Sequence, residues 1–462
     1  MDHRILNSFC IITLTVLFHL SVEGATYLVG PGRANRDLQS VAPFLRPGDV
    51  VEVDGNAIYP GGVVFTEPGT AADPITIRGI LINEQKPVLN GGKNTLHFQT
   101  AWPYSGPGAD HYILEGFDIT GGTQRGIFHQ AAHLVIRDCV VHDCPAHGIL
   151  GADEGSGSLT LEGVEVYRCG AGDTKHQIYV ATDEANRPRS LFRMQFCWIH
   201  DGLGGNNVKS RAERNEIYYN RIEGAYYHEL ELIGPDGQDP RLAREDADVV
   251  GNVFQKRNNF YVVRVGGDGT GETNGRYRFV NNTFLCGEAA VFRLFDGLES
   301  IEMHNNVFRR EGAVGTVDIM RKADAVWAAA TARIAGRNNW VQDGAVNIPG
   351  EWQGTVRGKD PGFENERGGI LRPTDGSSLI DGGTNDPASP AGSSFLRPLF
   401  PPAFHPQVRR SPLPETVEMR PFDGRIDIGA YEAGGILIVR IPPPTRRNSP
   451  DRSSPRRRGP FL

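Results

Sequence analysis

Beyond its first two dozen residues the chain has no apolar run of the roughly 20 residues needed to span a membrane. It has no sustained 3.6-residue apolar period, which argues against a helical body. It carries no Cys or His spacing of the metal-binding kind. Its six cysteines fall to five if Cys10 leaves with an N-terminal signal, and an odd count leaves at least one free thiol. Cys139 and Cys197 are expected in the core as small apolar side chains rather than in a disulfide. Positive charge is also in short supply, with 48 Lys and Arg against 55 Asp and Glu. The segment from about Arg440 holds seven of those arginines and one Asp, so the body without it stands near −13. A body of that charge repels nucleic acid, and any acidic ligand must be met by a local basic site.

The ends differ in composition from the rest. Arg4, the apolar stretch Ile5 to Val22 and the small residues Val22 and Gly24 have the form of an export signal over residues 1–24. The chain is therefore expected to be secreted or periplasmic, with no membrane span. Residues 436–462 are rich in Arg and Pro and are expected to form a disordered tail. Between them, 25–435 is expected to be one domain and the protein a monomer.

What the chain does have is a repeat. Asn220, Asn252, Asn282, Asn306 and Asn339 each follow a short apolar alternation, in EIYYNRI, VVGNVF, RFVNNTF, MHNNVF and AGRNNWV. Upstream the same slot holds Phe117, Cys139, Val164 and Cys197. Successive slots lie 22, 25, 33, 23, 32, 30, 24 and 33 residues apart. Such a period means that one unit cannot bury its core alone. The unit reads as a short strand, a turn residue and a second short strand. Parallel strands stacked about 4.8 Å apart would place the slot coil upon coil, where one Asn amide can bond the next. Propeller blades would carry WD or kelch signatures at about 40–50 residues, and these are absent.

The pattern resembles the right-handed parallel β-helix of the pectate-lyase-like superfamily, an all-β solenoid in which internal asparagine ladders are common. The resemblance covers roughly residues 26–432. The strings ATYLVGPG and LRPGDVVEVDG are similar to N-terminal coils and cap. The strings DPGF, LRPTDGSSLIDGG and DGRIDIGAYE are similar to C-terminal coils.

Function on such a scaffold lives where turns lengthen and polar residues gather. Counting from the slot, His176, Lys209 and Arg264 each lie twelve residues on, and Glu231 lies eleven on. This count predicts a His176–Lys209–Glu231–Arg264 column beside Arg211, Tyr227 and His228. The string NVKSRAERNEIYYNRI also resembles the chondroitinase-B-like and alginate-lyase family, in which Lys209 would take the place of the catalytic base. The family's Arg–His–Gly string is replaced here by HELELIG, and its calcium-binding carboxylates by HQIYVATD with His176 and Asp183. The stretch is closer to a group of secreted bacterial β-helix proteins carrying HxIYV and VKSRA, a pattern that implies no particular activity.

Elimination from a uronic-acid polymer needs a base for the proton α to the carboxylate and a cation to neutralise that carboxylate. The expected catalytic residues are therefore Lys209, Arg211, His176 and Arg264. Tyr227, His228 and Asn207 are expected to bind substrate, an acidic polysaccharide. Glu229 and Glu231, read as sharing one strand face, are candidates for a calcium ion. The same two carboxylates keep a glycoside hydrolase open, with Asp183, Asp201 and Asp236 as further partners. The tyrosines at 218, 219, 226 and 227 keep open a binding or surface-structural β-helix. Limited proteolysis is expected to trim the basic tail and leave the body as one stable fragment. Two stable halves would contradict the single solenoid.

Overall fold

The structure is a computed structural model, which describes residues 24–151, 154–234, 245–270, 273–313, 315–322 and 333–441. Residues 1–23 of the proposed export signal and residues 442–462 of the proposed tail lie outside the described residues. Each coil is built from three short strands rather than two. One coil runs Leu191–Gln195, Trp198–His200 and Val208–Arg211; the next runs Arg214–Tyr218, Arg221–Glu223 and Leu230–Leu232. Stacking such coils makes three parallel sheets of 13, 12 and 10 strands among the described residues. We call them the first, second and third sheets in the order the chain meets them. All cross-coil pairing is parallel, so the chain is an all-β parallel β-helix, and no helix among the described residues is long and apolar enough to cross a membrane. The third strand escapes a slot-based reading because it is short and its outward face carries charge, as in Lys209 and Glu231.

The corner between the first and second sheets explains the repeat. It has two residues. The first sits at positive φ, at Asn281, Asn305 and Asn338 among others, and the second points inward. Asparagine tolerates left-handed geometry better than most residues, which accounts for the Asn–Asn pairs. The inward asparagines form a continuous ladder. The Oδ1 of Asn252 accepts the backbone N–H of Asn220 at 2.8 Å and its side-chain N–H at 3.0 Å, while Asn252 Nδ2 donates to Ile217 O and Asn282 Oδ1. The same bonds recur from Asn282 to Asn306 and from Asn306 to Asn339. All five side chains are fully buried, and each amide finds donors and acceptors inside the core. Cys139 and Cys197 hold the slot in earlier coils, and all five described cysteines are buried thiols.

The C-terminal segment departs from expectation. After Val356–Gly358 the chain adds no further coil to the stack. It turns back and runs as a strap along the outside of the first and second sheets. Trp340 bonds Ser378, Asn305 bonds Thr384, Arg278 bonds Leu399 O, Tyr219 Oη accepts from Ala403 N, Arg409 pairs with Glu223, and Ser411 bonds Glu165. Thus DPGF, LRPTDGSSLIDGG and DGRIDIGAYE are strap rather than C-terminal coils. The strap also shifts the tail boundary, because Leu437–Arg440, assigned above to the tail, pairs antiparallel with Thr416–Met419. Apolar outward positions pay for this cover: Val253, Leu285, Val307 and Trp340 on the second sheet pack against Leu371, Leu379, Ile428 and Ala430 of the strap. Phe196 and Tyr219 hold the positive-φ corner position at 56° and 59°, a conformation unusual for bulky residues. Their rings stack on each other and meet Phe404 edge-to-face, so strap packing offsets the local backbone cost. Among the described residues no hydrogen bond or ion pair joins the strap to the third sheet, so the strap does not cover that outer face, where Glu231 and Arg264 are buried by their own neighbours.

Replacing Asn252 with Leu would orphan the N–H groups of Asn220 and the carbonyl of Ile217. Asn252→Leu is expected to lower the unfolding free energy by about 1–3 kcal/mol for the buried partners left unmet. Chemical denaturation checks this, and unchanged stability would refute the ladder's structural role.

Candidate active site

Strand register on the third sheet brings three of the candidates into one outward column. Lys209 lies opposite Glu231, and Glu231 opposite Arg264. Below Lys209 the column continues with Tyr179, and above Arg264 with Arg293 and Arg321. His176 is not in this column. The turn between Glu165–Tyr167 and Ile178–Ala181 is three residues longer than that between Trp198–His200 and Val208–Arg211, so the count of twelve falls short. The extra length closes on itself through a bridge between Ala171 and Lys175. Tyr179 therefore occupies the position expected for His176.

Lys209 is the least buried of the four catalytic candidates, with 14% of its side chain exposed. Its ammonium lies 3.6 Å from Glu231 and 4.0 Å from Asp268, and 5.2 Å from the centre of the Tyr179 ring. Glu231 also accepts from Asn206 Nδ2 at 2.5 Å and pairs with Arg264 at 3.1 Å. Arg211, two residues past Lys209, is buried. It reaches Asp268 at 2.6 Å, Thr270 at 3.1 Å and the carbonyl of Gly234. Burial works against the charge of Asp268, yet the Thr270 hydroxyl and the Arg211 guanidinium hold its carboxyl below the usual range. Arg264 spends its donors on Gly266 O, Gly267 O and Glu231, with its guanidinium 4.2 Å from the centre of Phe295.

Beside this column runs a buried one made of His147, His176, Asn206 and His228. The N–H of His176 donates to Nδ1 of His147 at 3.1 Å, and the N–H of Asn206 to Nδ1 of His176 at 2.9 Å. The N–H of His228 donates to Oδ1 of Asn206 at 2.9 Å, as does its ring Nδ1 at 3.0 Å. Side chains of one coil thus satisfy backbone donors of the next, as in the asparagine ladder. An Nδ1 that accepts fixes the tautomer of His147 and His176 with the proton on Nε2. Burial lowers His147 to about 4 and takes His176 and His228 well below the ordinary value, so all three are neutral at pH 7. His176 stands edge-on to Tyr179 at 5.5 Å, on the same side of the sheet as Lys209. It positions Tyr179 and the turn rather than meeting solvent.

The remaining candidates divide. Tyr227 is half-buried and stacks on Phe260 at 4.1 Å, at the rim of the third sheet. His228 is fully buried among Tyr227, Phe260 and Tyr261. Asn207 is inside the helix, where Gln177 Nε2 donates to its Oδ1 at 2.7 Å and its Nδ2 donates to Glu229 at 2.6 Å. Neither side chain can touch a polysaccharide on the outer face. Glu229 is also inside, at the end of that Gln177–Asn207 row, paired with Lys256 at 3.3 Å and bonded by Ala225 N–H. Glu229 and Glu231 therefore do not share a face, because Glu229 precedes the strand Leu230–Leu232 and turns inward at the corner. Burial raises the Glu229 carboxyl and lowers the Lys256 ammonium. With Glu229 enclosed and Glu231 held between Lys209 and Arg264, these carboxylates do not fit a calcium ion, and no step is derived through one. Sequence counting missed Tyr179, Asn206, Asp268 and Arg293, because register and one long turn decide their places.

No family model matches the chain, and no curated protein matches it. Solved structures with similar backbones include a pectate lyase, at 12% identity over 89% of this chain and 97% of that one, with a TM-score of 0.48. An alginate lyase from Paenibacillus sp. is 18% identical over 64% of this chain and 96% of that one, with a TM-score of 0.42. A lacto-N-biosidase from Eubacterium ramulus is 12% identical over 72% of this chain and 68% of that one, with a TM-score of 0.41. The assignment of the fold rests on the ladders and sheet pairings described above.

The buried imidazole column sets a pH dependence. His147 in the folded chain titrates near 4, against an ordinary value of 6.5. Between those values the unfolded chain binds a proton that the folded chain refuses. The contribution of His147 is therefore intact above pH 6.5 and is lost as pH falls toward 4. His147→Asn keeps an acceptor for the His176 N–H, as Asn206 does for His228, and removes the titration. It should flatten the fall in stability across that window by at most about 3 kcal/mol. Denaturation at pH 7 and at pH 4.5 reads the difference, and equal pH slopes in the two proteins would refute the assignment.

Proposed function

We propose that this protein is a secreted polysaccharide-active β-helix that cleaves a uronic-acid polymer by β-elimination on the outer face of its third sheet. The observation that carries this reading is the Tyr179–Lys209–Glu231–Arg264 column on the one sheet face that the strap leaves open. The reaction removes the proton α to the uronate carboxylate, expels the glycosidic oxygen at C4 and leaves a double bond in the product. Lys209 is assigned as the base that takes the proton. Tyr179, one coil away, delivers a proton to the leaving oxygen. Arg264 contributes fixed positive charge where negative charge develops on the carboxylate, at no reorganisation cost because its partners already hold it. Arg211 and His176 act from beneath. Arg211 fixes Asp268 beside Lys209, and His176 supports Tyr179 and accepts from the backbone of the next coil.

Hydrolysis is the second reading, since Glu231 and Asp268 both flank Lys209 and so lie within about 8 Å of each other, a spacing that glycosidases use. It needs one carboxyl that keeps its proton near neutral pH. Asp268 is held on the ionised side, which favours elimination.

Incubation with a panel of uronic-acid polysaccharides is expected to raise the ultraviolet absorbance of an unsaturated product. New reducing ends without that absorbance would favour hydrolysis, and neither signal would end the enzymatic reading. Lys209→Ala should lower turnover by about 100-fold or more with the fold retained. Tyr179→Phe should lower it while leaving the affinity for uncleaved polymer unchanged. Normal turnover in Lys209→Ala would remove Lys209 as the base.

A further inference from the structure

Several outward arginines on the first sheet of this β-helix are met by carboxylates of neighbouring coils. Arg193 pairs with Glu216, Arg276 with Asp246, and Arg278 with Asp248 and Glu302. The upper end of the open sheet breaks this habit. Arg264, Arg293 and Arg321 lie directly opposite one another on three successive coils. Like charges in that relation repel. Only Arg264 has a carboxylate partner, Glu231, among the described residues. Arg293 is held by aromatic faces instead, with its guanidinium 4.5 Å from the centre of Phe295 and 5.2 Å from that of Tyr261. Its Nε is enclosed with no hydrogen-bond partner. Arg321 donates to the hydroxyl of Tyr261 at 2.6 Å and is otherwise exposed. Aromatic faces hold a guanidinium in place without neutralising it or using its in-plane donors. Two cations are thus fixed, half-buried and exposed, with donors unspent and mutual repulsion unrelieved.

We propose that Arg293 and Arg321 form an anion subsite for carboxylate or sulfate groups carried by the same polysaccharide chain, remote from the point of cleavage. This deepens the reading of the third sheet as a polysaccharide site and rests on it. Coils rise about 4.8 Å each, so Arg293 stands about 14 Å and Arg321 about 19 Å from Lys209 along the helix axis. An extended polyanion laid parallel to the axis meets Lys209 first and then this pair, roughly three and four pyranose lengths away. Tyr261 and Phe295 supply the apolar surface on which sugar faces rest between the charged groups. The subsite fixes the polymer's direction along the axis and sets a minimum length for tight binding.

Calorimetric titration of the full chain with size-graded acidic oligosaccharides, from dimers to octamers of galacturonate, mannuronate and chondroitin sulfate, tests the proposal, with inorganic sulfate alone as a further arm. The wild-type protein should bind hexamers far more tightly than dimers. Arg293→Leu and Arg321→Gln should each lose about tenfold in hexamer affinity and leave dimer affinity unchanged, with a weaker salt dependence of hexamer binding. Arg293→Leu should melt no lower than wild type without ligand, because it removes a cross-strand repulsion. If that variant fails to fold, Arg321→Gln, at an exposed position, carries the test. Equal losses at every length, or none, would overturn the subsite. Sulfate alone binding as tightly as hexamers would overturn its assignment to the polymer. Length-dependent binding lost in the variants, with no unsaturated product from any polymer, would sink elimination and keep the subsite. Cleavage with wild-type length dependence in both variants would do the reverse, and absence of all binding would end both.

Discussion

The ladder of asparagine amides through five coils is the interaction on which the rest depends. Between the ends of the ladder each Oδ1 takes two donors from the preceding coil, and each Nδ2 gives one bond forward and one back. Slipping one coil by a single residue would bury these amides unpaired and turn every side chain of that coil to the other face. The ladder therefore fixes register, and register alone sets Lys209 opposite Glu231 and Glu231 opposite Arg264. No sequence neighbour relation joins these three residues. They meet because each lies a nearly constant distance along the chain from a pinned corner.

The helix repeats the same device at one other corner, the entry to the third sheet, in two adjacent rows with different side chains. Gln177, Asn207 and Glu229 run inside, closed by Lys256. His147, His176 and Asn206 run beside the open face and accept backbone donors from the coil above. A parallel coil leaves backbone N–H groups at its corners that no strand partner can take, and a buried donor without a partner is costly. Amide, imidazole and carboxylate all serve as acceptors. Polar residues that look like catalytic material in the sequence are consumed in this way, which is why Asn207, His228 and Glu229 lie beneath the proposed site rather than in it.

The strap decides which face is free. It lays apolar and charged cover over the first and second sheets, where tyrosines and ion pairs would otherwise face solvent, and among the described residues it makes no bond to the third sheet. On the covered sheets arginines such as Arg193, Arg276 and Arg278 are neutralised by carboxylates, since an unpaired charge under cover is expensive. On the open sheet the demand relaxes, and Arg293 and Arg321 stand without such partners. Location and charge balance thus point to the same surface independently.

The sequence alone determined the solenoid, the inward asparagines and the column of Lys209, Glu231 and Arg264, because a local motif marks the same corner of coil after coil and the strand period is two. It also singled out the stretch between Val164 and Asn252 as the polar part of the body. It could not place His176, since a turn three residues longer than its neighbour changes the count without changing the motif. It placed Glu229 and Glu231 on one face, since alternation holds within a strand and fails at the corner where Glu229 turns inward. It read the C-terminal strings as coils and residues from 436 as tail, whereas the chain from Lys359 to Ile441 runs back along the outside. Composition is the same for a strand added to the end of a stack and a segment laid against its side. Only contacts between residues more than a hundred positions apart, such as Arg278 with Leu399 and Tyr219 with Ala403, decide between them.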